Sequence, residues 1–200
     1  VLRATYTPLV YTARYVEAAE YLEQAISINP NITAPYFELA SLYRIQRAEI
    51  YQPEMSVALY RRILEIDPDN AKANLRLCQT FANVREADFS LAQPYCEEAL
   101  AIDPEYGNAH MTLGRMQYLR RNYEGSIQSF ERCVEYGSEA IECYYLRGLA
   151  HFWLNECEDA WDLLGQAQDL TQTQFVTEGV IQDIENGLYN VTQLCPGYAN

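Results

Sequence analysis

Lysine is almost absent from this chain. The 200 residues contain 13 Arg but a single Lys, Lys72, against 28 Asp and Glu, and the net charge is −14. Nucleic acids and anionic membrane surfaces are bound through a basic surface, so this composition argues against both classes of partner. Apolar runs also fall short of the roughly 18 residues that a transmembrane helix needs, and we expect no transmembrane segment.

Motifs for catalysis are missing as well. The sequence has no CxxC, HExxH, GxSxG or glycine-rich phosphate loop. Its two histidines, His110 and His151, stand where the helical pattern of their segments places large inward side chains. Cys143 and His151 are about 12 Å apart along one helix, too far to bind one ion. We therefore predict a protein that is not an enzyme and has no cofactor and no metal site.

A unit of 34 residues occurs twice in succession between residues 107 and 174. Small or apolar residues recur at this spacing: Gly114, Tyr123, Ser126, Phe130 and Cys133 in the first copy, and Gly148, Cys157, Ala160, Leu164 and Ala167 in the second. A fixed period of this length is typical of a solenoid. Each unit shows two amphipathic helices, and the small residues allow their backbones to approach closely.

The same pattern continues towards the N-terminus with spacings of 38 and 36 residues. Prolines that follow Asn or Asp end the second helix of successive units: Pro30, Pro68 and Pro104. This pattern resembles the tetratricopeptide repeat (TPR) family. The resemblance implies an all-α fold, a right-handed TPR α-solenoid of helix pairs. The two longer spacings correspond to insertions of four and two residues, which fit the turns at 46–53 and 83–88.

The domain organisation follows from these repeats. We expect an extended N-terminal arm at 1–12, a half repeat at 13–32, repeats at 33–70, 71–106, 107–140 and 141–174, a capping helix at 175–189 and an irregular tail at 190–200. The arm is rich in Val, Thr and Tyr, and Pro8 would break a helix there. The capping helix combines one apolar face with a polar side made of Glu178, Gln182, Asp183, Glu185 and Asn186.

Six cysteines are the remaining chemical feature. The resemblance implies three close pairs, one within a repeat, one across a repeat boundary and one between a repeat and the C-terminal segment: Cys78–Cys96, Cys133–Cys143 and Cys157–Cys195. Six cysteines allow 15 connectivities. Alternatively, cysteine simply serves as a small buried residue, which would explain Cys78 and Cys133. Disulfides favour an extracytoplasmic or secreted protein, and reduced cysteines a cytoplasmic one.

By resemblance, the first helix of each repeat lines a concave groove that binds a protein or peptide. The groove residues are Phe37, Arg44, Lys72, Arg76, Met111, Arg115, Tyr118, Tyr145, Leu149, Phe152 and Trp153. We predict a non-enzymatic scaffold that binds an extended peptide or a helix in this groove. Two alternatives remain open. One is a structural protein that joins other copies of itself head-to-tail, as oligomers or extracellular filaments, through the arm. The other is the TPR region of a larger enzyme or regulator.

Overall fold

The computed structural model describes residues 14–45, 48–82 and 89–197, so the predicted arm at 1–12 lies outside the described residues. Within these ranges the regular structure is entirely helical and confirms the all-α prediction. Ten helices follow one another there: α1 (Tyr15–Ile28), α2 (Thr33–Leu42), α3 (Pro53–Ile66), α4 (Ala71–Ala82), α5 (Phe89–Ile102), α6 (Gly107–Leu119), α7 (Tyr123–Glu135), α8 (Glu142–Trp153), α9 (Cys157–Leu170) and α10 (Glu178–Leu194).

Local sequence explains where these helices end. Proline disfavours helical backbone in the residue before it, and α1 and α3 stop at Asn29 and Asp67, each followed by Pro. The turns of the last two pairs repeat each other in backbone conformation. Arg121 and Asn155, 34 residues apart, have φ of 60° and 62°. The sequence period is therefore also a structural period.

The chain divides into two compact units, Val1–Asp103 and Pro104–Asn200. In the first unit, α2 packs against α3 and α4 against α5. Small buried residues bring the paired helices together, and the hydroxyl of Ser56 on α3 donates to the carbonyl of Ala40 on α2 at 3.0 Å. The disulfide Cys78–Cys96 links α4 to α5.

In the second unit, α6 pairs with α7 and α8 with α9. A Cβ atom built on Gly114 would lie 2.8 Å from the ring of Phe130, and one on Gly148 would lie 2.9 Å from Cγ of Leu164. Only glycine fits these two positions without a shift of the neighbouring side chain. The disulfides Cys133–Cys143 and Cys157–Cys195 join α7 to α8 and the start of α9 to the end of α10. The structure thus contains the three cysteine pairs expected from the repeat pattern.

The last helix packs on both α8 and α9, and its five expected polar residues are exposed. Its limits differ from the expected 175–189, because α10 begins three residues later and ends five residues later. Phe175 is fully exposed and contributes nothing to the buried face, whereas Val191 is completely buried and prolongs it. The part of the tail that we expected to be irregular is therefore helical up to Leu194. In the described part of the chain, no helix combines the length and the apolar character needed to cross a membrane.

Candidate interaction surface

Four of the predicted groove residues lie in the first unit, and two of them form a cation–aromatic contact. The ammonium of Lys72 lies 4.5 Å from the centre of the Phe37 ring. Arg76, one turn further along α4, donates to the side-chain oxygen of Gln79 at 2.9 Å. Arg44 is half-buried in the turn that follows α2. Lys72 and Arg76 are thus held against their own neighbours.

In the second unit the groove prediction overestimated what is accessible. Tyr145 is only 8 % exposed and belongs to the hydrophobic core. Met111, Tyr118, Leu149 and Phe152 are half-buried and pack against that core. Leu149 is covered by α10, whose Gly187 approaches so closely that an added Cβ atom would lie 2.8 Å from Cδ2 of Leu149. Tyr145 is therefore not part of the accessible surface.

One predicted residue is prominently exposed. Trp153, at the end of α8, leaves 56 % of its surface open. Its ring is stacked on Tyr123, with planes 12° apart and centres 6.1 Å apart, and meets Phe152 edge-on at 5.6 Å. Its indole N–H donates to the hydroxyl of Tyr118 at 3.3 Å. We call these four residues the aromatic ledge: Tyr118, Tyr123, Phe152 and Trp153.

The aromatic ledge borders an open depression of about 400 Å³ between the ends of α8 and α10. It is lined by Phe152, Trp153, Asn155, Asn190, Leu194 and Cys195. The repeat pattern missed three of these residues. Asn155 lies in a turn, and Asn190 and Leu194 belong to the segment that we expected to be irregular. The signal that could have found the last two is the continuation of the apolar spacing through Val191.

Two tyrosines in this region, Tyr145 and Tyr118, have phenol pKa values that are raised mainly by burial. Burial raises the pKa of Tyr145 to about 12, and the carboxylates of Glu142 and Asp183 push it the same way, while Arg115 opposes them. Burial also raises the pKa of Tyr118, again with a contribution from Asp183. Asp183 of α10 therefore acts on two phenol groups, one of which is hydrogen-bonded to Trp153.

The histidines are buried as expected, at 4 % and 8 % exposure. His110 contacts the carbonyl of Pro104 at 2.9 Å and packs on Tyr136. Nδ1 of His151 lies 2.6 Å from a carboxylate oxygen of Glu156 and 4.0 Å from one of Asp159. Both carboxylates are exposed, and the contact with Glu156 ties the α8–α9 turn to the core.

These successive helix pairs, followed by an added helix, define an α-solenoid. The family model described as "Tetratricopeptide repeat" matches residues 10–32. The resemblance to the TPR family is thus confirmed, and the chain has the TPR fold.

Solved structures with the same fold support this assignment. A MamA fragment from Desulfovibrio magneticus RS-1 is 17 % identical to this chain, and the match covers 88 % of this chain and 96 % of the fragment with a TM-score of 0.68. TTC0263, a thermophilic TPR protein from Thermus thermophilus, is 15 % identical over 94 % of this chain and 97 % of its own, with a TM-score of 0.66. YrrB, described as a TPR protein with an unusual peptide-binding site, is 14 % identical over 90 % and 88 %, with a TM-score of 0.62. Among curated protein sequences, none matches this chain.

Proposed function

We propose that this protein is a non-enzymatic scaffold that binds an extended peptide or an amphipathic helix of a partner protein, and that the aromatic ledge anchors it. The observation that carries the proposal is the state of Trp153, which is 56 % exposed and yet fixed by three aromatic neighbours. A Trp side chain held in this way offers a large contact area and loses little conformational entropy when a partner binds. Interface hot spots are accordingly rich in Trp.

The depression beside Trp153 supports the same function. Its apolar wall, with Phe152 and Leu194, suits a side chain of the partner, and the amides of Asn155 and Asn190 can pair with a peptide backbone. Peptide binding is also the property named in the description of YrrB, which shares the fold. The two histidines, which are buried and held by internal contacts, support the non-enzymatic assignment.

We also propose that the protein works in an oxidising compartment, outside the cytoplasm or secreted. All six cysteines are paired, and disulfides persist where glutathione and thioredoxin do not reduce them. The test is to isolate the protein without reductant, unfold it and count its free thiols. We expect no free thiol, whereas six free thiols would indicate a cytoplasmic protein.

The binding function is tested with peptides selected on the folded protein from a random display library. We expect Trp153→Ala to weaken the selected peptides at least about tenfold, since hot-spot Trp residues contribute about 2 kcal/mol or more. The matched control is Trp161→Ala on α9, a Trp that is 37 % exposed and lies outside the aromatic ledge. Equal affinities of the two variants, at equal melting temperature, would refute the anchor.

A further inference from the structure

We infer that the segment bound at the aromatic ledge is cationic and places an Arg or Lys side chain on the open side of Trp153. This inference rests on the proposed function and adds the chemistry of the partner. Its support comes from charge, from the geometry of the indole and from the groups around the depression.

Charge is distributed unevenly along the chain. Residues 135–200 contain eleven Asp and Glu but one Arg, Arg147, so this third of the chain supplies −10 of the net −14. Ten of the eleven acidic residues are exposed. Arg147 is paired with Glu131, which lies outside this set, at 2.7 Å. The aromatic ledge also has Arg120 and Arg121 between Tyr118 and Tyr123, but over the whole second unit, residues 104–200, fourteen Asp and Glu outnumber five Arg. A unit of this net charge attracts a basic segment and repels an acidic one.

The indole of Trp153 provides a specific place for a cation. One side of the ring is stacked on Tyr123, and the side chain, which is 56 % exposed, also lines the depression. Trp is the best aromatic partner for a cation placed over the ring face. The protein contains this kind of contact in its first unit, where the ammonium of Lys72 lies 4.5 Å from the centre of the Phe37 ring.

Groups around the indole complete the site. The amide oxygens of Asn155 and Asn190 can accept hydrogen bonds from a guanidinium or ammonium group, and Leu194 offers an apolar contact to its aliphatic stem. Burial raises the pKa of Tyr118, and the exposed carboxylate of Asp183 on α10 adds to this shift. The hydroxyl of Tyr118 accepts the indole N–H of Trp153 at 3.3 Å, so Asp183 is the carboxylate whose effect on the site can be tested directly.

The test uses the full chain with Trp161→Phe, which leaves Trp153 as the single tryptophan and a direct fluorescent reporter. Four peptides of about 12 residues share one Leu pattern and carry Arg, Lys, Gln or Glu at the remaining positions. We expect the Arg peptide to bind at least about tenfold more tightly than the Gln peptide and the Glu peptide not to bind. Its affinity should fall as salt rises from roughly 50 to 500 mM.

A pair of matched variants separates local recognition from general attraction to an acidic protein. Asp183→Asn should weaken the Arg peptide by about threefold or more and leave the Gln peptide unchanged, because a lost ion pair acts on the cation only. Asp162→Asn removes the same charge from an exposed position on α9 and should change the affinity of the Arg peptide less.

Three results would overturn the inference. Equal affinities of the Arg and Gln peptides would overturn the inference and leave the proposed function intact. Equal effects of Asp183→Asn and Asp162→Asn would show non-specific attraction in place of a site. If none of the four peptides binds and Trp153→Ala does not change the affinity of the library peptides, the inference and the proposed function both fail.

Discussion

At the scale of single residues, two glycines of the last repeat have opposite surroundings. A Cβ atom on Gly148 would lie 2.9 Å from Cγ and 3.2 Å from the backbone nitrogen of Leu164, whereas one on Gly165 meets nothing within 4 Å. We expect Gly148→Leu to reduce the free energy of unfolding by about 1–3 kcal/mol or more, because the backbone of α9 cannot yield cheaply. Urea unfolding followed by circular dichroism measures the change.

Gly165→Ala is the control for that experiment. It fills open space on α9 and removes a flexible residue from a helix interior, so it should stabilise the protein by about 0.5–1 kcal/mol. A Gly148→Leu variant as stable as the native protein would contradict the close approach of α8 to α9 at this point.

Tyr145 predicts an alkaline transition. Burial, assisted by Glu142 and Asp183, raises its pKa from 10.0 to about 12 in the folded protein. The stabilising contribution of the neutral phenol is therefore complete below pH 10 and is lost as the pH rises towards 12, because the unfolded chain ionises first. The loss amounts to about 2–3 kcal/mol. Urea midpoints measured between about pH 9 and about pH 11.5 should fall accordingly.

Tyr145→Phe removes the ionisable group and should make this decline shallower. Tyr189→Phe, at a position 63 % exposed on α10, is the matched control and should keep the native slope. Identical slopes in all three proteins would show that Tyr145 does not ionise as its surroundings require.

Tyr145 and Trp153 also show what the sequence could and could not predict about the site. The repeat pattern assigns both residues to the groove side of α8, whereas the structure leaves Trp153 56 % exposed and Tyr145 only 8 % exposed. The pattern could not separate them by exposure, because exposure depends also on the segments that pack on α8 from outside the repeat, among them α10. A pattern read along one helix contains no information on which distant segment covers it.

At the scale of elements, the disulfides differ in access. Cys78, Cys96, Cys133 and Cys143 have no exposed surface, whereas Cys157 is half-buried and Cys195 lines the open depression. A reductant must reach the sulfur that it attacks. We therefore expect mild reduction of the folded protein to open Cys157–Cys195 first, as mapped by alkylation and mass spectrometry.

A Cys157→Ser/Cys195→Ser variant tests the consequence for α10. In the native protein the disulfide Cys157–Cys195 closes a loop with a sequence separation of 38. The chain-entropy model gives such a disulfide a stabilisation of about 4 kcal/mol. The variant should lose stability while the first unit keeps its disulfide Cys78–Cys96. Earlier reduction of either of the other two bonds would contradict the order of access.

Helix limits were predictable to the extent that local chemistry sets them. Asn or Asp followed by Pro marks the ends of α1 and α3. The limits of α10 were not predictable in this way. Phe175 looks apolar enough to start the helix, but it stays fully exposed, and the helix persists beyond Tyr189 because Val191 is buried and Cys195 is bonded to α9.

At the scale of the whole molecule, the boundary between Asp103 and Pro104 separates two sets of stabilising contacts. One hydrophobic cluster, with Phe130, Leu164 and Ile184 among its members, lies wholly in the second unit. Both disulfides of that unit are internal, and Cys78–Cys96 is internal to the first. Since these three bonds use all six cysteines of the chain, no disulfide crosses the boundary.

We accordingly expect the fragment 104–200 to fold by itself. It contains two complete helix pairs, the closing helix α10 and two disulfides, and repeat arrays gain stability from such neighbouring contacts. The isolated fragment should show a helical circular dichroism spectrum, one cooperative thermal transition and no free thiol. The fragment 1–103, with one disulfide, should unfold at a lower temperature. A fragment 104–200 that is unfolded at room temperature would show that its core and disulfides are insufficient and that the second unit requires the first.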